Sequence, residues 1–428
     1  MGTFKLRANT FITVLTREIK GSSILLYCAI LSIYQLSLFI EHIQFAPFLG
    51  FFGRTLKMWL TMLLLLLLGI YLGSSIVITV QKRWAIIPVL AFMTGFLLMC
   101  AKMQRNKFDG LMIVILAICA YGKNYITILR VMFWWAAATV AIAMIGLPIG
   151  FTVEKPKVGL YGTGLALGFA HPNVWGSYVF FIFVLAWYLF MKDRGRNVRI
   201  GYFILSWISA LFMLIVPKCR TQALLLLLFP LTILSCKRTI NWSASTKAVV
   251  PKKVILGLLI LFPFLCFFAT IILGSQREWL AIHTMGTYIE NFSKRFIQAG
   301  LAFREHGFPF FGELLRLRNN YVEQLGGYSF TLYVLDNGYV TFTIYRGMLW
   351  MVPALLWLSY ANWKIIRNKD YSLLAISTLF CLMGLMERYT FQVYNFIFLY
   401  PLSVSVLHTN VATDGIEQIP GVGEEANS

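Results

Sequence analysis

Six basic side chains, Arg277, Lys294, Arg295, Arg304, Arg316 and Arg318, crowd the polar segment from Gly274 to Leu335, together with His283 and His306. A guanidinium offers a planar fork of N–H donors that matches phosphate oxygens, so this clustering points to work on an anionic group. Arg220, two residues after Lys218 at the end of an apolar run, is suited to the same task or to snorkelling at a membrane interface. Asp336-Asn337 stands where the polar segment gives way to the next apolar run, as a helix cap or as a chemical group. His171-Pro172-Asn173 closes a connector that holds Gly159, Gly162, Gly164 and Gly168. His171 can act there as a base or hydrogen-bond donor, or mark a structural turn whose proline opens the next helix.

The elements that must position these groups are helices in a membrane. The chain has 428 residues, of which 59% are hydrophobic and 13% charged, far from the balance of a soluble domain. Runs such as Leu63–Leu68 and Leu224–Leu228 do not alternate, which favours helices over a β-barrel. Apolar runs predict about twelve spans, at 22–40, 58–80, 84–101, 108–122, 129–150, 173–191, 200–217, 221–236, 254–274, 338–362, 371–386 and 390–407. The first run follows Lys5, Arg7, Arg17 and Lys20 and reads as an uncleaved helix. The expected fold class is therefore all-α and polytopic, one transmembrane domain over 1–407 with a long extracytoplasmic loop, 275–335, between helices 9 and 10. The acidic, turn-rich stretch 408–428 reads as a disordered tail.

Basic residues in short loops set the orientation. They place both termini in the cytoplasm and the 275–335 loop outside. The net charge of +20 is scattered among spans and forms no long basic arm, which argues against nucleic acid. Seven cysteines show no CxxC pair, and neither a P-loop, an HExxH nor a Gly-x-Ser-x-Gly motif is present, so no metal or other cofactor is expected. Inside the loop, Ile282, Met285, Ile289, Phe292, Phe296 and Phe303 fall at helical spacing. They predict an amphipathic helix lying on the membrane surface or packed on the spans. Arg295 and His306 share a face of one straight helix about 16 Å apart along its axis, and a break at Gly300 would bring them nearer.

Several short segments together resemble bacterial polysaccharide polymerases of the O-antigen polymerase/ligase superfamily (Wzy-type). They are Gly168-Phe169-Ala170-His171-Pro172-Asn173, Cys219-Arg220-Thr221, Arg295 through Gly312 with Phe310-Phe311-Gly312, Leu335-Asp336-Asn337-Gly338-Tyr339, Tyr345-Arg346-Gly347 and Glu387 before the last span. Relatives often carry an arginine shortly before the His-Pro-Asn segment; here Tyr161, Gly162 and Thr163 stand there, with Lys155 and Lys157 as substitutes. The resemblance implies a metal-independent glycosyltransferase at the outer face of the bacterial cytoplasmic membrane. Its substrate would be an oligosaccharide on undecaprenyl pyrophosphate, and its neighbours membrane lipids, a flippase and a chain-length regulator. Arg220 and Arg295 would bind pyrophosphate, with Arg304 and Arg277 as secondary cations and Asn173 and Asp336 as further substrate contacts. His306, Glu305 and His171 compete as the general base. Glycan ligation to another acceptor and transport of the lipid-linked oligosaccharide are the alternatives.

Overall fold

In the computed structural model the described residues are 24–45, scattered positions between 55 and 67, most of 116–120, and 122–403 apart from 155–156, 160–161, 245–248, 288, 314–321, 326, 332–334 and 392–394. The expected span 84–101 and the 408–428 tail lie outside this set, and most of 58–80 and 108–122 does too.

Among the described residues helices dominate, with two short β-hairpins. Helix α1 covers Ile24–His42. Then come α2 (Tyr125–Gly146), hairpin β1 (Lys157–Gly159) with β2 (Gly162–Gly164), and α3 (Pro172–Ala186), which runs on through a wider turn to Met191. Next are α4 (Arg196–Ile215), α5 (Arg220–Ala244), α6 (Val249–Ile260), α7 (Phe262–Ser275), α8 (Arg277–Thr284) and α9 (Glu290–His306). Hairpin β3 (Val322–Leu325) with β4 (Tyr328–Thr331) precedes α10 (Gly338–Arg346), α11 (Met348–Arg367) and α12 (Tyr371–Gly384). Among the described residues five helices are long and apolar enough to cross a membrane, or six if the bent pair α6–α7 is one span.

Burial separates the helices by role. In α3 the large side chains Trp175, Tyr178, Phe180 and Phe181 are all buried, as a helix apolar on every side must be when it stands at the centre of a bundle. In α4, by contrast, Ile204, Leu205, Ile208, Leu211 and Ile215 are exposed, the face a peripheral span gives to lipid. The ends of the bundle differ in charge. Tyr188 at the foot of α3 donates to Asp370 at 2.6 Å, and Lys237 of α5 lies over the Tyr371 ring at 5.7 Å. That end also carries Lys192, Arg194, Arg196 and Arg199, and Lys364 and Arg367 in the last turn of α11. At the opposite end stand the starts of α3, α5 and α10 and the finish of α12.

Three expected spans differ. The run 254–274 is bent by 69° between Lys253–Ile260 and Phe262–Ser275, where Pro263 removes a backbone donor. The run 338–362 is two helices, broken at Gly347. Gly347 has φ of +89°, which favours glycine, and its α-carbon faces the Phe310 carbonyl with no room for a side chain. The segment 309–313 fills this break: Pro309 O accepts from Met348 N at 2.9 Å and Phe310 O from Leu349 N at 3.1 Å, while Glu313 N donates to Ile344 O at 2.7 Å. Backbone groups orphaned by the break are thus satisfied. Finally, the described residues of 390–407 form no continuous helix, only short turns at Arg388–Phe391 and Phe396–Leu399.

The amphipathic stripe also divides. The chain turns between α8 and α9, where Gly286 has φ of +75°. Met285 and Phe296 are buried with Leu280, Ile297, Leu301 and Leu325 in a second core, whereas Ile282, Ile289 and Phe292 remain exposed. Helix α9 crosses α7 where Gly300 meets Gly274, so closely that a side chain on Gly300 would overlap the Gly274 carbonyl. Gly300→Val is therefore expected to lower stability by about 1–3 kcal/mol or more, the cost of overpacking. Thermal unfolding in detergent, followed by tryptophan fluorescence, measures it.

Candidate functional site

Arg295 is at the centre of a polar cluster built from five distant parts of the chain. Its position in the first half of α9 is fixed by the buried neighbours Phe296 and Ile297. Its Nη1 donates to Glu387 Oε1 at 3.2 Å and reaches Thr221 Oγ1 at 3.4 Å. Its Nη2 lies 3.8 Å from Asp336 Oδ2. Asn173 donates to the same Glu387 oxygen through Nδ2 at 3.2 Å. Gln222 Nε2 in turn donates to Asn173 O at 3.2 Å and Ser177 Oγ at 3.1 Å.

Helix ends place these groups. Asn173 sits in the first turn of α3, where Pro172 occupies the start and His171 caps the helix, its Nδ1 accepting from Asn173 N at 3.1 Å. Cys219, just before α5, donates to Pro172 O at 2.8 Å and so fixes the two helix starts to each other. Asn337 caps α10 by accepting from Val340 N at 3.1 Å, and its own amide donates to Leu385 O at 2.9 Å. That bond holds Asp336 beside the chain turn that presents Glu387. Capping falls to Asn337, which leaves the Asp336 carboxylate facing Arg295.

Glu387 is buried, with 1% of its surface exposed. Burial pushes its carboxyl up to about 7, against the downward pull of Arg295, with Asp336 pushing up and bonds from Thr221 and Gln222 pulling down. Desolvation wins because little water reaches the pair. A carboxyl raised in the folded state binds its proton more tightly there than in the unfolded chain. Its stabilising contribution is full below its ordinary value of 4.5 and is lost as pH rises through about 7. Thermal stability of the wild type is thus expected to fall between pH 5 and 7.5 relative to Glu387→Gln, by on the order of 3 kcal/mol. Parallel melting curves of the two proteins across that pH range check it.

Of the candidates read from the sequence, Asn173, Arg295 and Asp336 come together. Arg220 opens α5, exposed, immediately before Thr221. His171 borders the cluster, but its Nδ1 is committed to the helix cap. Glu305 and His306 are not joined to Arg295: α9 is continuous through Gly300, so His306 lies about 16 Å along the axis from Arg295. There His306 Nδ1 pairs with Glu313 Oε2 at 3.1 Å. Arg304, exposed, shares that last turn, and Arg277 opens α8, half-buried. Glu387, Thr221 and Gln222 complete the site without having been candidates for it. Glu387 and Thr221 stood among the segments of the resemblance without a role in the site, and Glu387 also as a lone acid between two apolar runs; Gln222 carried no sign.

The arrangement can hold an anion. Arg295 is fixed on one side by the buried Glu387 and the half-buried Thr221, while its Nη2 faces Asp336, whose side chain is 35% exposed. Arg220, at the start of the neighbouring helix, offers a second cation. Compared with known proteins, the chain matches no family model, no curated protein and no solved structure.

Proposed function

We propose that this chain polymerises oligosaccharide repeat units carried on undecaprenyl pyrophosphate, at the outer face of the bacterial cytoplasmic membrane. The observation that supports it best is Arg295, held by the buried Glu387 and by Thr221 at the bundle end opposite the lysine- and arginine-rich turns. With positively charged turns inside, that end faces outward, and the lipid carrier's pyrophosphate lies at the same level.

In the transfer, the acceptor sugar hydroxyl forms a bond to the donor's anomeric carbon. The bond from that carbon to the pyrophosphate oxygen breaks, and its electron pair leaves with the pyrophosphate. Fixed guanidinium groups stabilise the charge that grows on this leaving group. The Asp336 contact at 3.8 Å is the loosest in the cluster, so incoming pyrophosphate displaces it from Nη2 while Glu387 and Thr221 keep Nη1 in place. The displaced Asp336 carboxylate then lies next to the reacting carbon and accepts the proton of the acceptor hydroxyl. His306 is too far along α9 for that task, because the anomeric carbon is bonded directly to the pyrophosphate. It orients the glycan further out.

The deciding experiment supplies a synthetic lipid-linked repeat unit to the purified protein in liposomes and separates the products by size. A ladder of lengthened lipid-linked glycans supports polymerisation; transfer to another acceptor without a ladder, or movement of the lipid with no new bond, overturns it. Asp336→Asn is expected to reduce turnover by about 10²–10⁴-fold, the usual share of a general base, with substrate affinity kept. His306→Ala should weaken affinity for the glycan more than turnover. Initial rates against repeat-unit concentration separate the two.

A further inference from the structure

Two exposed apolar stripes run along α7 and α11 and do not stop where these helices do. On α7 the exposed positions Leu265, Phe268 and Ile272 recur every three or four residues, and the same spacing continues across Gln276 into Trp279 and Ile282 of α8. On α11 the stripe is Val352, Leu356, Tyr360 and Trp363, with Lys364 and Arg367 at its far end. At its near end the strap 308–311 is hydrogen-bonded to Met348 and Leu349, and it turns Phe308, Phe310 and Phe311 outward, each about half exposed. Helix α11 has 20 residues and is about 30 Å long. Its start therefore lies one hydrocarbon thickness from its basic end, at the opposite membrane surface.

The opposite face of α8 is closed. Leu280 and Ala281 are buried with Leu325 of the β3–β4 hairpin, so Trp279 and Ile282 are directed away from the rest of this segment. Aromatic side chains at this depth match the belt that membrane proteins place at the lipid–water boundary. Continuity with these two long apolar stripes selects lipid over a protein partner as the occupant.

We propose that the segment 277–311 is seated in the interfacial layer of one leaflet along two apolar edges, Trp279 with Ile282 and the Phe308–Phe311 strap. It is a collar set into the bilayer, not a domain standing in water, and Arg295 between its edges lies at headgroup depth. This placement does not depend on the glycosyl-transfer reading.

The test uses the full-length protein with the photoreactive residue benzoylphenylalanine at single positions, in liposomes of phosphatidylglycerol and phosphatidylethanolamine carrying tritiated phospholipid. Variants at Trp279, Phe310 and Phe311 are compared with Trp363 on the α11 stripe and with Tyr328 at the exposed hairpin turn. The expected result is phospholipid crosslinking at the first three comparable to Trp363 and several-fold above Tyr328. Labelling no stronger than at Tyr328, or crosslinks to a second copy of the chain in place of lipid, overturns the collar. Only variants that melt like the wild type are scored, and three independent positions keep one failed variant from deciding the outcome.

Discussion

Arg295→Ala is expected to abolish the glycan ladder, with a loss in turnover of at least about 10²–10³-fold, the scale seen when one fixed charge-stabilising donor is removed. No neighbour can substitute, because the guanidinium makes three separate contacts at once, to Glu387, Thr221 and Asp336. Lysine does not restore it: a point ammonium cannot hold Glu387 with one nitrogen while offering another to phosphate. Arg295→Lys should therefore retain the fold and recover only a small part of the rate. Assays of both variants on the synthetic lipid-linked repeat, with melting curves to establish folding, measure this. Full polymerisation by Arg295→Ala would remove the site proposed here.

The second large effect belongs to Glu387. Replacing it by alanine removes the buried partner of Arg295 and strips Asn173 of its acceptor. Breaking a buried charge pair from one side costs about 3–5 kcal/mol when the surviving charge is left alone, and less here because Asp336 still faces Arg295. Glu387→Ala is thus expected to lower both stability and turnover, and Glu387→Gln, which keeps a hydrogen-bond acceptor, to lose less of each. A positioning role has its own signature. The wild-type rate should change with pH through about 7, where Glu387 titrates, and the change should be absent in Glu387→Gln. Rate profiles from pH 5.5 to 8.5 for the two proteins show whether it is.

The physical basis of the site explains which parts were legible in the sequence. Asn173 and Asp336 stood out because a polar residue at the margin of an apolar run costs free energy unless it has a partner, and Arg295 because it belongs to a cluster of basic side chains. Glu387 obeys the same rule, yet sequence spacing does not show which distant group compensates a buried acid. Thr221 and Gln222 resemble any first turn of a helix. Only a helix break at Gly300 would carry His306 near Arg295. That glycine is there for contact with Gly274, not for a bend. The fold shows the same division. Long apolar runs such as Pro172–Met191 were plain, whereas the break at Gly347 depends on a strap from another part of the chain. Local composition at 338–362 holds no trace of that strap.

The long reach of the Asn173–Glu387 bond has a consequence for biogenesis. Its two ends are 214 positions apart, and Arg295 and Thr221 lie between them in sequence. A ribosome that has made every other member of the cluster has still not made its buried acid. Until α12 is inserted and the turn after it closes, Arg295 has no buried counter-charge and Asn173 no acceptor. The nascent chain consequently completes this polar cluster only after α12 and the turn beyond it have joined the bundle.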